Sequence, residues 1–207
     1  MAALLEPFSG MMMHASVCIV MCKAPELGRV KTRLAAEIGD THALRVYEAL
    51  LGITLHAATS STWNTVLAVD GDHSRMPVHP HRIIPQCGDE LGVRICNAIN
   101  DAGDYERIVV IGADAPRVTH HHIARAFHAL DTHDVVLGPA ADGGYWLIGM
   151  RQLHPDLFAD IPWSTDRVLT RTRERCKQHA RTVALLETLS DIDVRADLDR
   201  HPEFVYE

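Results

Sequence analysis

Residues 15–34 read ASVCIVMCKAPELGRVKTRL. Residues 15–22 form a nearly continuous apolar run, the pattern of a central strand covered on both faces. Behind it comes a loop with Pro25, Gly28 and four cations, Lys23, Arg29, Lys31 and Arg33, and then a helical pattern. Backbone N–H groups at a helix N-terminus lack intrahelical partners, and the dipole there favours negative charge. Cations at that end work against the helix, because Lys and Arg favour C-termini. A bound phosphate would offset that cost, and a solvated basic turn is the competing reading. Neither GxxxxGK(S/T) nor GxGxxG is present, which argues against a P-loop NTPase and a dinucleotide-binding dehydrogenase.

Outward from this stretch, strand and helix patterns alternate. Helical segments are expected at 30–38 and 41–59, broken at Gly39, with Asp40 or Thr41 as cap of the second. Strands follow at 63–69 and, at a sheet edge, 82–85, then a helix at 89–102 and the strongest strand at 107–111. Thr119 caps a helix through Leu130, and strands are expected at 134–139 and 145–150. A helix at 164–179, capped by Ser164 or Thr165, leads to a last strand at 181–187 and a helical turn at 193–200. Such alternation predicts a three-layer α/β/α domain with a mostly parallel mixed sheet, whose ligands bind beyond the carboxyl ends of the strands.

The chain has 207 residues, enough for one domain with a substantial core, here expected over 14–207. The start, MAALLEPFSGMMMH, carries Glu6 and Pro7 without a basic n-region, so 1–13 is expected to be a disordered lead-in, with Met1, Met11, Met12 and Met13 as alternative starts. A net charge of −7 argues against a nucleic-acid surface, so a local basic cluster points to a small phosphorylated ligand. No apolar run approaches the roughly 20 residues that span a bilayer, and no membrane association is expected. The five cysteines are odd in number and irregularly spaced, which suits a reducing cytoplasm.

Three acidic sites follow strands. Asp114, in GADAP, stands where a hard divalent cation would be held, and Mg²⁺ needs only one or two protein carboxylates besides substrate phosphates. A turn-capping Asp before Pro116 is the plain alternative. In Asp191-Ile192-Asp193, alternation puts both carboxylates on one side, unless Asp193 merely caps the following helix. Asp142-Gly143-Gly144-Tyr145 permits close approach of backbone to a ligand or a tight hairpin. Arg94, beside Gly88 and Gly92, can reach a phosphate or serve as a surface ion-pair arginine. Trp163, before a helix start, can stack on a ring or act as a hydrophobic staple. The consecutive His120, His121 and His122 point in different directions, poor geometry for zinc. No GxSxG elbow or activated cysteine suggests a covalent nucleophile.

The ordered blocks KAPELGRVKTRL, QCGDELGVRI, IGADAP, LGPAADGGYWLIG, IPWSTDRVL and DIDVRADL resemble the DUF2064 family of uncharacterised bacterial proteins, described as GT-A-like glycosyltransferases or "transferase 1, selenodomain-associated". The resemblance covers about residues 15–199. It extends to 2-phospholactate guanylyltransferase and, more distantly, to molybdenum cofactor guanylyltransferase. It implies a nucleotide-diphospho-sugar transferase (GT-A) fold and a transferase that moves a nucleotidyl or glycosyl group from an NTP or NDP-sugar to a small-molecule acceptor. Lys23, Gly28, Lys31, Arg33, Gly92 and Arg94 would bind the nucleotide, with Lys31, Arg33 and Asp114 catalytic. Asp114 and Asp193 would hold Mg²⁺ or Mn²⁺, and Asp142, Gly143, Gly144, Tyr145 and Trp163 would line the acceptor side. Ala113 and Ala115 depart from the family's usual hydroxyl or cysteine residues around that Asp. They motivate the alternative of a non-catalytic nucleotide-binding regulator.

Overall fold

A computed structural model describes residues 15–204 except Val78 and Pro80, so the lead-in and its alternative starts lie outside the described residues. Seven strands, β1 (Ser16–Lys23), β2 (Asn64–Asp70), β3 (Arg82–Pro85), β4 (Arg107–Gly112), β5 (Val135–Pro139), β6 (Tyr145–Met150) and β7 (Val183–Leu185), form one sheet in the order β3-β2-β1-β4-β6-β5-β7. Among the described strands only β6 runs antiparallel to its neighbours. The three-layer α/β/α expectation with a mostly parallel mixed sheet therefore holds.

Alternation within β1 sets the layers. Cys18, Val20 and Cys22 face one core with Leu67, Val69, Val109 and Ile111, covered by α2 (Asp40–Ala58) and α4 (His120–Ala129). Val17 and Ile19 face the other with Val66, Ala68, Ile108 and Val110, covered by α3 (Leu91–Ala102) and α5 (Val168–Gln178). Each buried aliphatic side chain of this kind is worth about 1.5–3 kcal/mol. A third cluster joins α1 (Thr32–Ile38) and α2 to α6 (Arg195–Leu198) through Leu34, Val46, Leu50, Ile192 and Leu198.

The helix starts differ from the sequence expectation where the backbone turns first. Lys31 is left-handed at φ 46°, so α1 opens at Thr32 rather than at residue 30. Asp40 does not cap α2: Gly39, at φ 84°, occupies the cap and Asp40 is already helical. Ser164 at φ 62° belongs to a turn in which Thr165 Oγ1 accepts from the Arg167 N–H, so α5 starts four residues later than expected, at Val168. Asp193 caps nothing either, since Asp197 accepts the N–H groups of Asp193 and Val194 ahead of α6.

Register aligns the carboxyl ends of the central strands. Lys23 stands opposite Asp70, and Met21 opposite Gly112, two residues before Asp114. The chain builds β1, β2 and β3 to one side and then places β4 on the other side of β1. That reversal opens a crevice at the carboxyl edge.

Candidate active site

The crevice is a cleft of about 540 Å³ whose floor is made by the ends of β1, β2 and β4 and whose walls come from α1, α3 and the segment before α6. Tyr47 of α2 pins its first loop: its hydroxyl donates to the Lys23 carbonyl and accepts from the Lys23 N–H, both at 2.7 Å. The Ala24 N–H donates to the Asp70 carbonyl, which seals the loop against β2. Lys23 is thus held at the rim, with Lys31 and Arg33 beside it.

Lys31 is the centre of the charge arrangement. Its side chain is 4% exposed, and its Nζ lies 2.5 Å from Asp114 Oδ1 and 2.8 Å from Asp193 Oδ1. Burial alone would favour loss of the proton, but attraction by Asp114 and Asp193 outweighs it and raises the ammonium above its ordinary value. Both carboxylates are about half-exposed to the cleft. Their meeting is built by the backbone, since the Ile192 N–H donates to the Asp114 carbonyl and Ile192 is buried against α1. A third carboxylate, Asp191, sits behind this pair. Burial, the charges of Asp114 and Asp142, and Asp193 push it up to about 7, against the pull of Lys31. Cys22 also reaches the floor, but burial and the Asp114 charge push its thiol up to about 12, far from a thiolate nucleophile.

Toward the other end of the cleft, Arg94 donates to Asp70 Oδ2 at 3.2 Å and to the Gly88 carbonyl at 2.8 Å. It is thus an ion-pair arginine, and it also lines the cleft. Gln86 and Asp89 line the same end. Gln86 and Asp89 fall in the block QCGDELGVRI and Ser164 was expected as a helix cap, but none of them, nor Tyr47, was expected in the site, because their placement depends on where separate strand ends meet.

Several expected site residues lie elsewhere. Gly92 packs the helix rather than a ligand: a Cβ there would meet Trp163 at 2.9 Å and Phe158 at 3.0 Å. Gly28 supplies a positive φ of 73° near Asp40 and does not line the cleft. Nor do Asp142, Gly143, Gly144, Tyr145 or Trp163. Asp142 accepts the Gly144 N–H at 2.8 Å, and Gly143 donates its N–H to Ala140 and accepts from Leu169, a tight hairpin tied to α5. A Cβ on Gly143 would lie 2.6 Å from the Asp166 Cα, so its close approach is to another loop, not to a ligand. Tyr145 turns its hydroxyl inward and meets Trp163 edge to face at 6.4 Å. Asp142 influences the site only as a charge felt by Asp191. Of the two departures from the family pattern, Ala115 is 4% exposed and faces the core, while Ala113 lines the cleft floor.

No group of three or more metal-binding side chains occurs among the described residues. The Asp114–Asp193 pair nevertheless suits a hard divalent cation: two half-exposed carboxylates already share one positive charge, and Mg²⁺ draws its remaining ligands from water and phosphate. No helix among the described residues is long and apolar enough to cross a membrane.

A family described as "Uncharacterized protein conserved in bacteria (DUF2064)" matches residues 54–165. A protein of Desulfovibrio desulfuricans, provisionally described as a nucleotide-diphospho-sugar transferase, is 30% identical, with 90% of this chain and 86% of that one covered and a TM-score of 0.83. The inositol-1-phosphate CTP transferase of T. maritima (13% identity, 92% and 94% covered, TM-score 0.59) shares the fold. So does a Mycobacterium tuberculosis protein solved in complex with manganese (18%, 91% and 99%, TM-score 0.56). No curated protein matches the sequence.

Proposed function

This chain belongs to the DUF2064 family, and from that premise we propose that it is a divalent-metal-dependent transferase that binds an NTP or NDP-sugar and passes a nucleotidyl or glycosyl group to a small acceptor. The observation that carries the reading is the Lys31 ammonium shared by Asp114 and Asp193 at the floor of a cleft with Lys23, Arg33 and Arg94 around it. Asp114 and Asp193 would hold Mg²⁺ or Mn²⁺. A manganese complex in a protein of this fold supports that choice. The bound ion would neutralise charge developing on the departing phosphate.

The chain's own residues do the rest. Lys31, once its carboxylates are otherwise engaged, would turn its ammonium to a phosphate oxygen in the cleft. Lys23 and Arg33 line the same cleft, and their fixed charges would act where charge builds up during displacement. From β4 across β1 and β2 to β3 is three strand spacings, about 14 Å, so phosphates at the Lys31 end place the base near Gln86 and Arg94. The number of cations favours nucleotidyl transfer, since three phosphates need more compensation than two. The description of the Desulfovibrio desulfuricans relative favours glycosyl transfer. The core position of Ala115 gives its small side chain a packing reason, which weakens the case for a non-catalytic regulator.

The test is a thermal-shift panel of NTPs and NDP-sugars with and without Mg²⁺ or Mn²⁺. A metal-dependent rise in melting temperature is expected for one donor class, since a ligand at about 100 times its Kd adds about 2.7 kcal/mol. An NTP hit indicates nucleotidyl transfer and an NDP-sugar hit glycosyl transfer. Absence of any metal-dependent shift sinks the proposal.

A further inference from the structure

Gln86 is fixed in an unusual way for a residue at a cleft rim. Its Nε2 donates to two backbone carbonyls, that of Cys22 at 2.9 Å and that of Ala68 at 2.8 Å, so it ties the end of β1 to β2. A side-chain amide has two N–H donors, and both are spent. Because both partners are carbonyl oxygens, the amide cannot be turned over without setting oxygen against oxygen. Oε1 is therefore held in one place, and it accepts from no described residue. Gln86 lines the cleft, and Oε1 is its unspent side-chain polar atom.

One neighbour presents the same polarity. Asp89 lines this end of the cleft, and its carboxylate takes part in no hydrogen bond among the described residues. The Asp70 carboxylate is engaged by Arg94, and Arg94 is in turn engaged by Gly88. Arg94 keeps three further N–H donors, so a ligand edge placed there meets fixed acceptors at Gln86 and Asp89 beside the donors of Arg94.

Resting on the nucleotide reading above, we propose that Gln86 is a specificity-determining residue, whose Oε1 selects a nucleobase carrying an exocyclic amino group over one whose edge carries only carbonyls and a ring N–H. Adenine, cytosine and guanine each offer such an amino group. Uracil offers a single N–H flanked by two carbonyl oxygens, which would face Oε1 and the Asp89 carboxylate with like polarity. The selection holds for nucleoside triphosphates and for the nucleoside diphosphate part of an NDP-sugar alike. It is therefore independent of which group is transferred.

Matched ligand pairs test it on the unaltered protein: CTP against UTP, ATP against purine riboside triphosphate, and GTP against inosine triphosphate, titrated by calorimetry with Mg²⁺. In the pair whose base the site accepts, the amino-bearing member is expected to bind at least about tenfold tighter, the equivalent of one hydrogen bond of about 1.4 kcal/mol. Gln86→Met, checked for folding by its melting transition, is expected to narrow that ratio to about twofold while metal-dependent triphosphate binding persists. All three pairs binding within about twofold, or inorganic tripolyphosphate binding as well as any nucleotide, overturns the role of Gln86 and leaves the phosphate site standing. Discrimination unchanged in Gln86→Met also overturns it. No nucleotide binding at all removes this inference together with the nucleotide reading.

Discussion

The cleft floor and the Asp142–Tyr145 hairpin are built from similar residues, an aspartate beside small residues at a strand end, yet they do opposite things. In the hairpin the backbone groups of both glycines are spent inside the chain: Gly143 on Ala140 and Leu169, Gly144 on Ala140 and one Asp142 oxygen. On the floor, Asp114 and Asp193 converge half-exposed on one ammonium and keep oxygens facing the cleft. A motif residue is available for chemistry only when folding leaves its hydrogen-bonding capacity unspent. The difference is in packing, not in composition.

The sharpest way to break that contrast is Gly143→Ala. The new Cβ would be forced into the Asp166 backbone at a φ of 90°, so unfolding free energy should fall by about 3 kcal/mol. Nucleotide selectivity in the remaining folded protein should not change. A variant of wild-type stability with altered ligand binding would return the hairpin to the site.

Lys31→Ala should do the reverse, weakening nucleotide binding by about 1–3 kcal/mol, the range for a lost charge-assisted contact. In the same variant, Mn²⁺ affinity without nucleotide should rise, because the ammonium between Asp114 and Asp193 is gone. Calorimetric titration of each ligand separately reads both effects. Unchanged nucleotide affinity would remove the loop's role.

Asp191 gives a smaller, pH-dependent signal. Its folded value of about 7 lies above the ordinary carboxylate value of about 4, so the native state holds this proton more tightly than the unfolded chain. Its contribution to stability is therefore largest below about pH 4 and is lost as pH rises to about 7. Asp191→Asn should flatten that slope and raise stability at pH 8 by an amount on the order of 2 kcal/mol, measured by urea unfolding at pH 5 and pH 8 without metal. Equal slopes in both proteins would mean that Asp191 is not the buried carboxylate described.

Much of the fold was legible because burial writes itself into sequence. The apolar runs of β1 and β4 and the exact bounds of β6 could be read off, as could Thr119 as the α4 cap. Helix starts were less so, since the left-handed turns at Lys31 and Ser164 are imposed by tertiary contacts on residues that do not favour them. Lys31 and Asp114 were visible from their place behind strands, and Asp193 as one of an alternating pair. That these three share one contact depends on Ile192 docking against α1 and bonding to Asp114, which no local pattern records. Gln86 opens the block QCGDELGVRI, but its orientation was illegible for the same reason: it is set by carbonyls of β1 and β2, 64 and 18 residues away in sequence. Tyr145 and Trp163 were expected in the site on family resemblance, but the structure turns them toward each other and the interior.

The most direct measurement is a Mn²⁺ titration, followed by electron paramagnetic resonance, of the wild-type protein and Asp114→Asn with and without the donor nucleotide identified in the panel. Saturable binding that tightens when nucleotide is present is expected in wild type, with loss of at least about tenfold in affinity in a folded Asp114→Asn. Equal Mn²⁺ affinity in the two proteins would contradict it.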